Sequence, residues 1–274
     1  GQGDRRIAVR TKIGAEAATP TNYFRMRFET PIPPDVVRAP GTPKAVRCMR
    51  TAKAALLIPV VQNKPVTSNS AVIHVYFPTN ERTGLGCVVH ADFHVNPDRK
   101  HLMVGRYNEW LLSFVADRLA DEFLSGLLTC YPAGPVFEAL APVDVPLSDV
   151  TRGFIQALRS ALQKRRQPFV PTEKGMRCPF DVALGPTIDP IWESHFGDEP
   201  REWKGRTFSF VSSSADGLRQ RKFLDLAGVE TLPLDAALKL MHDASRTSRP
   251  ATWWYDCLSP ELCTAASPVG EGAP

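Results

Sequence analysis

The sequence predicts an α+β protein, and three observations carry that prediction. Stretches between residues 21 and 95 alternate apolar and polar side chains, the period of a half-buried strand. The period then changes to helical spacing over residues 107–128 and again over 150–164. The second half is broken by Pro and Gly into short pieces. The expected architecture is a mainly antiparallel sheet with one long amphipathic helix, followed by a helical and irregular module. The expected division is 1–140 for the sheet and long helix, 141–263 for the second module, and 264–274 for a small-residue, Pro/Gly-rich tail expected to be mobile.

The elements follow in order. Residues 23–29 (Tyr-Phe-Arg-Met-Arg-Phe-Glu) alternate as a strand with one wet face. Residues 31–43 carry Pro31, Pro33, Pro34, Pro40 and Pro43 and read as a loop. Residues 54–61 are a buried run interrupted by Pro59, which points to an edge or bulged strand, because proline cannot donate to a ladder. Residues 71–77 are a further strand, Pro78 to Gly86 a turn, and 87–95 the next strand. On that strand Val89, Ala91, Phe93 and Val95 share one face, and His90, Asp92 and His94 the other. In the long helix, apolar residues recur at Trp110, Leu111, Phe114, Val115, Leu119, Phe123, Leu124 and Leu127, with Asn108 as the expected N-cap. The Tyr131-Pro132 step ends it. The second helix runs from about Val150 to Lys164, and its basic end, Lys164-Arg165-Arg166, suits a helix C-terminus. Short strands near 169–172, 183–186 and 207–211, then helices near 216–227 and 235–244 with Asp235 as cap, complete the reading.

Composition excludes several classes. The 274 residues are 43% hydrophobic and 23% charged, ordinary for a globular chain and unlike a disordered or fibrous one. No apolar run reaches the ~18 residues of a membrane helix. The six cysteines form no CxxC pair, which argues against a zinc knuckle, and the chain is too large and cysteine-poor for a disulfide scaffold. Residues 1–25 are Arg-rich and polar and show no signal peptide, so reduced thiols in a cytoplasmic setting are expected. The net charge of +4 is uneven: residues 1–60 hold 11 Lys/Arg and 4 Asp/Glu, the remainder 22 and 25. A basic end can meet an anionic partner, or be a solvated surface. Its cations are not interleaved with stacking aromatics in sequence, and no nucleic-acid motif appears, so a nucleic-acid partner is left open. The chain begins Gly1-Gln2-Gly3 rather than with Met, which suggests a piece of something longer.

Three patterns could carry chemistry. Thr83-Gly84-Leu85-Gly86 lacks the lysine and following helix of a P-loop and reads as a hairpin turn. His90, Asp92 and His94 on one strand face could hold a divalent metal or move protons in a metal-dependent hydrolase; the plainer reading is a solvated polar face. Residues 77–112 combine a strand delivering Phe93, a polar turn with Asn96 and Pro97, then Arg99-Lys100 and a helix. That layout presents a cation on a tight loop at the mouth of a sheet, where it could reach a phosphate supplied by another domain. Arginine suits the task because its planar fork binds phosphate oxygens bidentately and keeps its charge.

This segment resembles the middle, or transducer, region of sacsin-like proteins in the GHKL ATPase superfamily, which includes the heat-shock chaperone. The likeness rests on Phe77-Pro78-Thr79, Thr83-Gly84-Leu85, Asp92-Phe93, Asp98-Arg99-Lys100 and Asn108-Glu109-Trp110-Leu111-Leu112. A looser likeness continues through Phe169 to Gly175 and Leu224 to Val229. The resemblance implies a transducer fold like the second domain of ribosomal protein S5. It implies that Arg99, or Lys100 as the fallback position, contacts the γ-phosphate of ATP, with Asn96 of the same turn in the cofactor site. ATP and Mg would be held by an upstream nucleotide-binding domain, since no Asp-x-Gly-x-Gly loop occurs here. The chain alone would then not hydrolyse ATP. Its partners would be that domain and a protein client in defence or quality control, with a homodimer left open. The rival expectation is a non-enzymatic interaction module that recruits a partner through its basic N-terminal surface.

Overall fold

Alternation along the first half builds one large sheet in the computed structural model, which describes residues 6–9, 12–13, 16–17, 21–68, 71–186 and 200–245. The expected mobile tail, Cys257 and Cys263 lie outside the described residues. The strands of the first half are β1 (Arg6–Val9), β2 (Lys12–Ile13), β3 (Glu16–Ala17), β4 (Thr21–Pro31), β5 (Thr51–Val61), β6 (Lys64–Pro65), β7 (Val72–His74), β8 (Pro78–Arg82) and β9 (Val88–Ala91). The seven-stranded sheet has the order β1-β4-β5-β9-β7-β8, with β6 paired to β5. Pairing is antiparallel throughout except between β7 and β9.

Three expectations change here. The run 54–61 is not an edge: β5 lies between β4 and β9. Pro59 is tolerated because β9 pairs only with residues 54–57; beyond it the hairpin strand β6 takes over, and the Val66 N–H donates to the Pro59 carbonyl (2.9 Å). The turn at Pro78–Gly86 contains β8, which pairs with β7, so residues 83–87 carry the chain across β7 to β9 instead of closing a hairpin. A Cβ at Gly86 would sit 2.1 Å from the Ala139 carbonyl oxygen, so only glycine permits this close crossing. The proline-rich stretch after β4 also holds two short helices, α1 (Pro34–Arg38) and α2 (Lys44–Arg47), with Pro34 at a first-turn position that needs no N–H.

The helical half covers one face of this sheet. The run expected from Tyr107 to Leu128 is three contiguous segments: α3 (Arg106–Arg118), a π-helical turn (Leu119–Phe123) and α4 (Leu124–Cys130). Helix α5 (Ala133–Leu140) follows, unforeseen behind its Pro-Ala-Gly-Pro start. Helix α6 (Asp149–Lys164) begins at Ser148, whose hydroxyl accepts from the Thr151 N–H. Phe24 of β4 meets the Phe123 ring at 5.5 Å and Tyr131 at 6.1 Å. Fully burying a Phe or Leu contributes roughly 2 kcal/mol, and the core face of the sheet is almost entirely such residues: Phe24, Phe28, Leu56, Ile58, Ile73 and Val89.

The last third adds β10 (Val170–Thr172), β11 (Gly175–Arg177), β12 (Val182–Leu184), β13 (Arg201–Trp203), β14 (Arg206–Phe210), α7 (Leu218–Leu226), β15 (Glu230–Thr231) and α8 (Leu234–Ser245). Strand β12 pairs in parallel with both β14 and β15, so α7 is a crossover between them. Asp235 lies in the first turn of α8 rather than capping it. A small core of Ala183, Phe208, Phe210, Leu232 and Ala237 serves this second sheet. The main core continues past residue 140: Phe137 of α5 stacks on Phe223 of α7 at 5.0 Å. Among the described residues no helix is long and apolar enough to cross a membrane.

Candidate functional site

The loop between β9 and α3 is held by main-chain bonds almost from end to end. Buried Phe93 anchors its start. Val95 and Leu102 pair as an antiparallel bridge. Inside that bridge the Asn96 N–H donates to the His101 carbonyl (2.9 Å), and the Arg99 N–H to the Asn96 carbonyl (2.8 Å). Asp98 Oδ1 accepts from the Lys100 N–H (2.9 Å), and the Lys100 carbonyl accepts from Asn80 of β8 (2.8 Å). These bonds force Arg99 to φ +60°, the left-handed region that a non-glycine residue enters at a cost of about 1 kcal/mol.

Asn108 clamps the base of this loop. It is not the N-cap: Gly105 holds that position, and Asn108 sits in the first helical turn, 3% exposed. Its Nδ2 donates to the carbonyls of His94 (2.6 Å) and Met103 (2.7 Å), and its Oδ1 accepts from the His94 N–H (2.9 Å). The capping rule misplaced it because the groups it satisfies are remote in sequence.

A second polar knot lies beneath the loop. Glu81 of β8 faces the core and is 4% exposed. Its Oε1 meets His101 Nδ1 at 3.1 Å, and its Oε2 accepts from the Ser148 hydroxyl at 2.5 Å. The carboxylate therefore sits at the N-terminus of α6, where the helix dipole favours negative charge. Neither Glu81 nor Ser148 stood out in the sequence. The signal was present: Glu81 falls on the inward-facing parity of β8, beside buried Thr79, where a charged residue demands partners.

The sequence-predicted residues separate into two groups. Arg99 and Lys100 are exposed at the loop tip, and among the described residues neither forms an ion pair. Asn96 closes the turn beneath them through its backbone. His90, Asp92 and His94 have different neighbours, and the bonds of His94 to Asn108 are through its main chain. His90 pairs across the ladder with His74, whose pKa is lowered by burial and then by the neighbouring His90 charge. Asp92 exchanges bonds with Lys53: its Oδ2 accepts from the Lys53 N–H (2.8 Å), and its own N–H donates to the Lys53 carbonyl (3.1 Å). Its carbonyl accepts from Tyr107 Oη (2.9 Å), whose pKa is pushed up by burial and the nearby Asp92 charge. Among the described residues no three His, Cys, Asp or Glu side chains group as metal ligands. Buried Cys87 has its thiol pushed up to about 12 and is inert as a nucleophile. Thr83, Gly84, Leu85 and Gly86 are buried, with the Thr83 hydroxyl donating to the Leu85 and Cys87 carbonyls, so they do not offer their amides to an outside phosphate.

Beside the loop base, a groove of about 300 Å³ opens between the first turns of α3 and α6. Met103, Val104, Leu112, Val150 and Ala157 give it an apolar lining, and Val104 is 81% exposed. The site is thus a rigid cationic tip above an apolar rim, suited to meeting an anion carried by another folded surface. No protein-family model, curated protein or solved structure matches the chain.

Proposed function

We propose that this chain is the transducer part of a sacsin-like, chaperone-like GHKL ATPase, coupling nucleotide state in an upstream domain to client or partner binding. The observation that carries the reading is the pre-ordered turn that holds Arg99 outward in the left-handed conformation. Strain of this kind at an exposed cation fits a residue whose position matters more than local stability. ATP supplies the terminal phosphate and Mg its counter-charge, both held by the upstream domain.

This chain contributes charge and position. Arg99 brings a planar guanidinium to the γ-phosphate oxygens, with Lys100 adjacent, in a site where fixed donors need no reorganisation. Val104 and the apolar groove offer the area against which the nucleotide-binding domain can seat. When the terminal phosphate leaves, Arg99 loses its partner and the loop is released. Asn108 links that loop to α3, and Glu81 links it to α6, so both helices register the change.

The test is Arg99→Ala in the longer protein that includes the nucleotide-binding domain. Turnover should fall about 100-fold with nucleotide affinity retained. Unchanged turnover overturns the reading, as does a reading frame ahead of residue 1 that encodes no Glu/Asn helix and no Asp-x-Gly-x-Gly loop.

A further inference from the structure

The large sheet has a second face that the helices leave alone. Alternation sends Phe24, Phe28, Leu56, Ile58, Ile73 and Val89 into the core. The intervening residues, Ala55 and Leu57 of β5, Val88 of β9 and Val72 of β7, belong to neither packed cluster. They form a shallow apolar strip across the middle of the outer face. The ladder registers put cations at both margins: Arg25 opposite Leu57 and Arg27 opposite Ala55 on one side, Arg82 opposite Val72 on the other.

Planar rings line the same strip. Ala55 pairs with His90, and His90 with His74. The Tyr76 ring stands edge-on to His90 at 6.3 Å and is 83% exposed. Tyr23 shares the parity of Arg25 on β4. From Arg27 to His74 the row crosses three strand spacings, about 14 Å. The charge is one-sided: Arg25, Arg27, Lys53 and Arg82 face this surface, against Glu29, which accepts from the Thr51 hydroxyl, and Asp92, which is tied to the Lys53 amide.

We propose that this face binds single-stranded nucleic acid. Bases lie on Tyr76, His90, His74 and the Leu57–Val88–Val72 strip, while Arg25, Arg27 and Arg82 take the phosphates. A flat sheet with exposed rings between flanking cations suits unpaired bases, because every base offers a π-face and the backbone runs along the charged margins. A duplex hides its base faces from such a surface, and an acidic peptide has no use for the rings. The basic N-terminal sequence and the ring-bearing residues 74–90 are far apart in the chain; the β4-β5-β9-β7 order brings them together. This proposal is independent of the role given to Arg99.

Fluorescence anisotropy with a short labelled oligothymidylate, the matching oligouridylate and a duplex of equal length tests it. The single strands should bind more tightly than the duplex, and more weakly as salt rises. Tyr76→Ala, a change at an exposed turn, should weaken binding about tenfold at unchanged melting temperature. Arg25→Ala with Arg27→Ala should reduce the salt slope by roughly 2, while Lys239→Ala, at an exposed position of α8, leaves binding intact. Equal binding of the duplex, equal competition by polyglutamate, no effect of Tyr76→Ala, or no binding at low salt would each overturn the proposal.

Discussion

Helices α3 and α6 lie side by side and point the same way, and their two ends are held by opposite means. At the N-terminal end, Asn108 and Met103 share a groove with Asp149 and Val150; at the C-terminal end, Arg118 and Asp121 share a cleft of about 490 Å³ with Lys164 and Arg165. Each end uses one polar side chain to bind main-chain carbonyls outside its own helix. Asn108 is neutral, buried and satisfied on both its amide atoms. Arg165 is charged and half-buried. It donates to the Ala120 carbonyl and to that of Asp121 (3.0 Å), both in the π-helical turn, the latter shared with the Leu124 N–H, and to Ser125 Oγ (2.7 Å). Its Nε is buried without a hydrogen-bond partner among the described residues, and burial lowers its pKa. The fully satisfied end is the one that carries the strained, outward Arg99. The neutral clamp is complete, whereas the charged one leaves a buried N–H unpaired, which makes it the weaker of the two.

Removing the clamps probes that contrast most strongly. Asn108→Ala should cost about 3 kcal/mol by leaving the His94 amide and the Met103 carbonyl unsatisfied, while the His94 carbonyl keeps the Met103 N–H, measured as a drop in the urea midpoint at unchanged slope. Asn108→Asp should not recover this, since its carboxylate can accept from the His94 N–H but sets a buried, acceptor-only oxygen against the His94 and Met103 carbonyls. Arg165→Met should cost only about 1 kcal/mol, because water in the cleft can reach the Ala120 and Asp121 carbonyls. A larger loss at Arg165 than at Asn108 would break the comparison. Glu81→Gln should cost about 1 kcal/mol at the N-terminal end and loosen the start of α6, seen as faster amide exchange at Thr151.

Two smaller effects sharpen it. Arg99→Gly should raise stability by about 0.5 kcal/mol by relieving the left-handed φ, read as a higher urea midpoint. Asp117 borders the C-terminal cleft, and burial raises its pKa against the opposing pull of Lys164 and Arg118. A carboxyl whose folded pKa lies above its unfolded value opposes folding when ionised, and that opposition fades as pH falls through the folded pKa. Asp117→Asn should therefore raise the urea midpoint slightly at neutral pH. The advantage should vanish in the acid range near the ordinary Asp pKa. A gain that grew with acidity would contradict the sign.

Local pattern was enough for strands β4, β5 and β14 and for helix α6, where one face is apolar and the other wet. It failed wherever the partner is remote. Asn108 looks like a cap and Arg165 like a dipole partner, because those rules see only their own helix. Both act on carbonyls elsewhere: Asn108 on the loop before α3, Arg165 on the π-helical turn. Pro59 looks like an edge signal, because the sequence does not reveal that β9 stops short of it. The Arg99 turn was legible through Asn96, Pro97 and Asp98, all turn residues; its φ and its clamp were not. Of His90, Asp92 and His94, only Asp92 has its side chain hydrogen-bonded, to the Lys53 amide, a partner that strand parity alone does not reveal.

The pre-ordering of the Arg99 loop is tested most directly by native-state amide hydrogen exchange at His94, Asn96, Arg99 and Met103. All four amides have main-chain or Asn108 acceptors. They should exchange slowly despite lying in a surface loop, and accelerate together in Asn108→Ala. Exchange of these four at the rate of an unprotected chain would contradict the account.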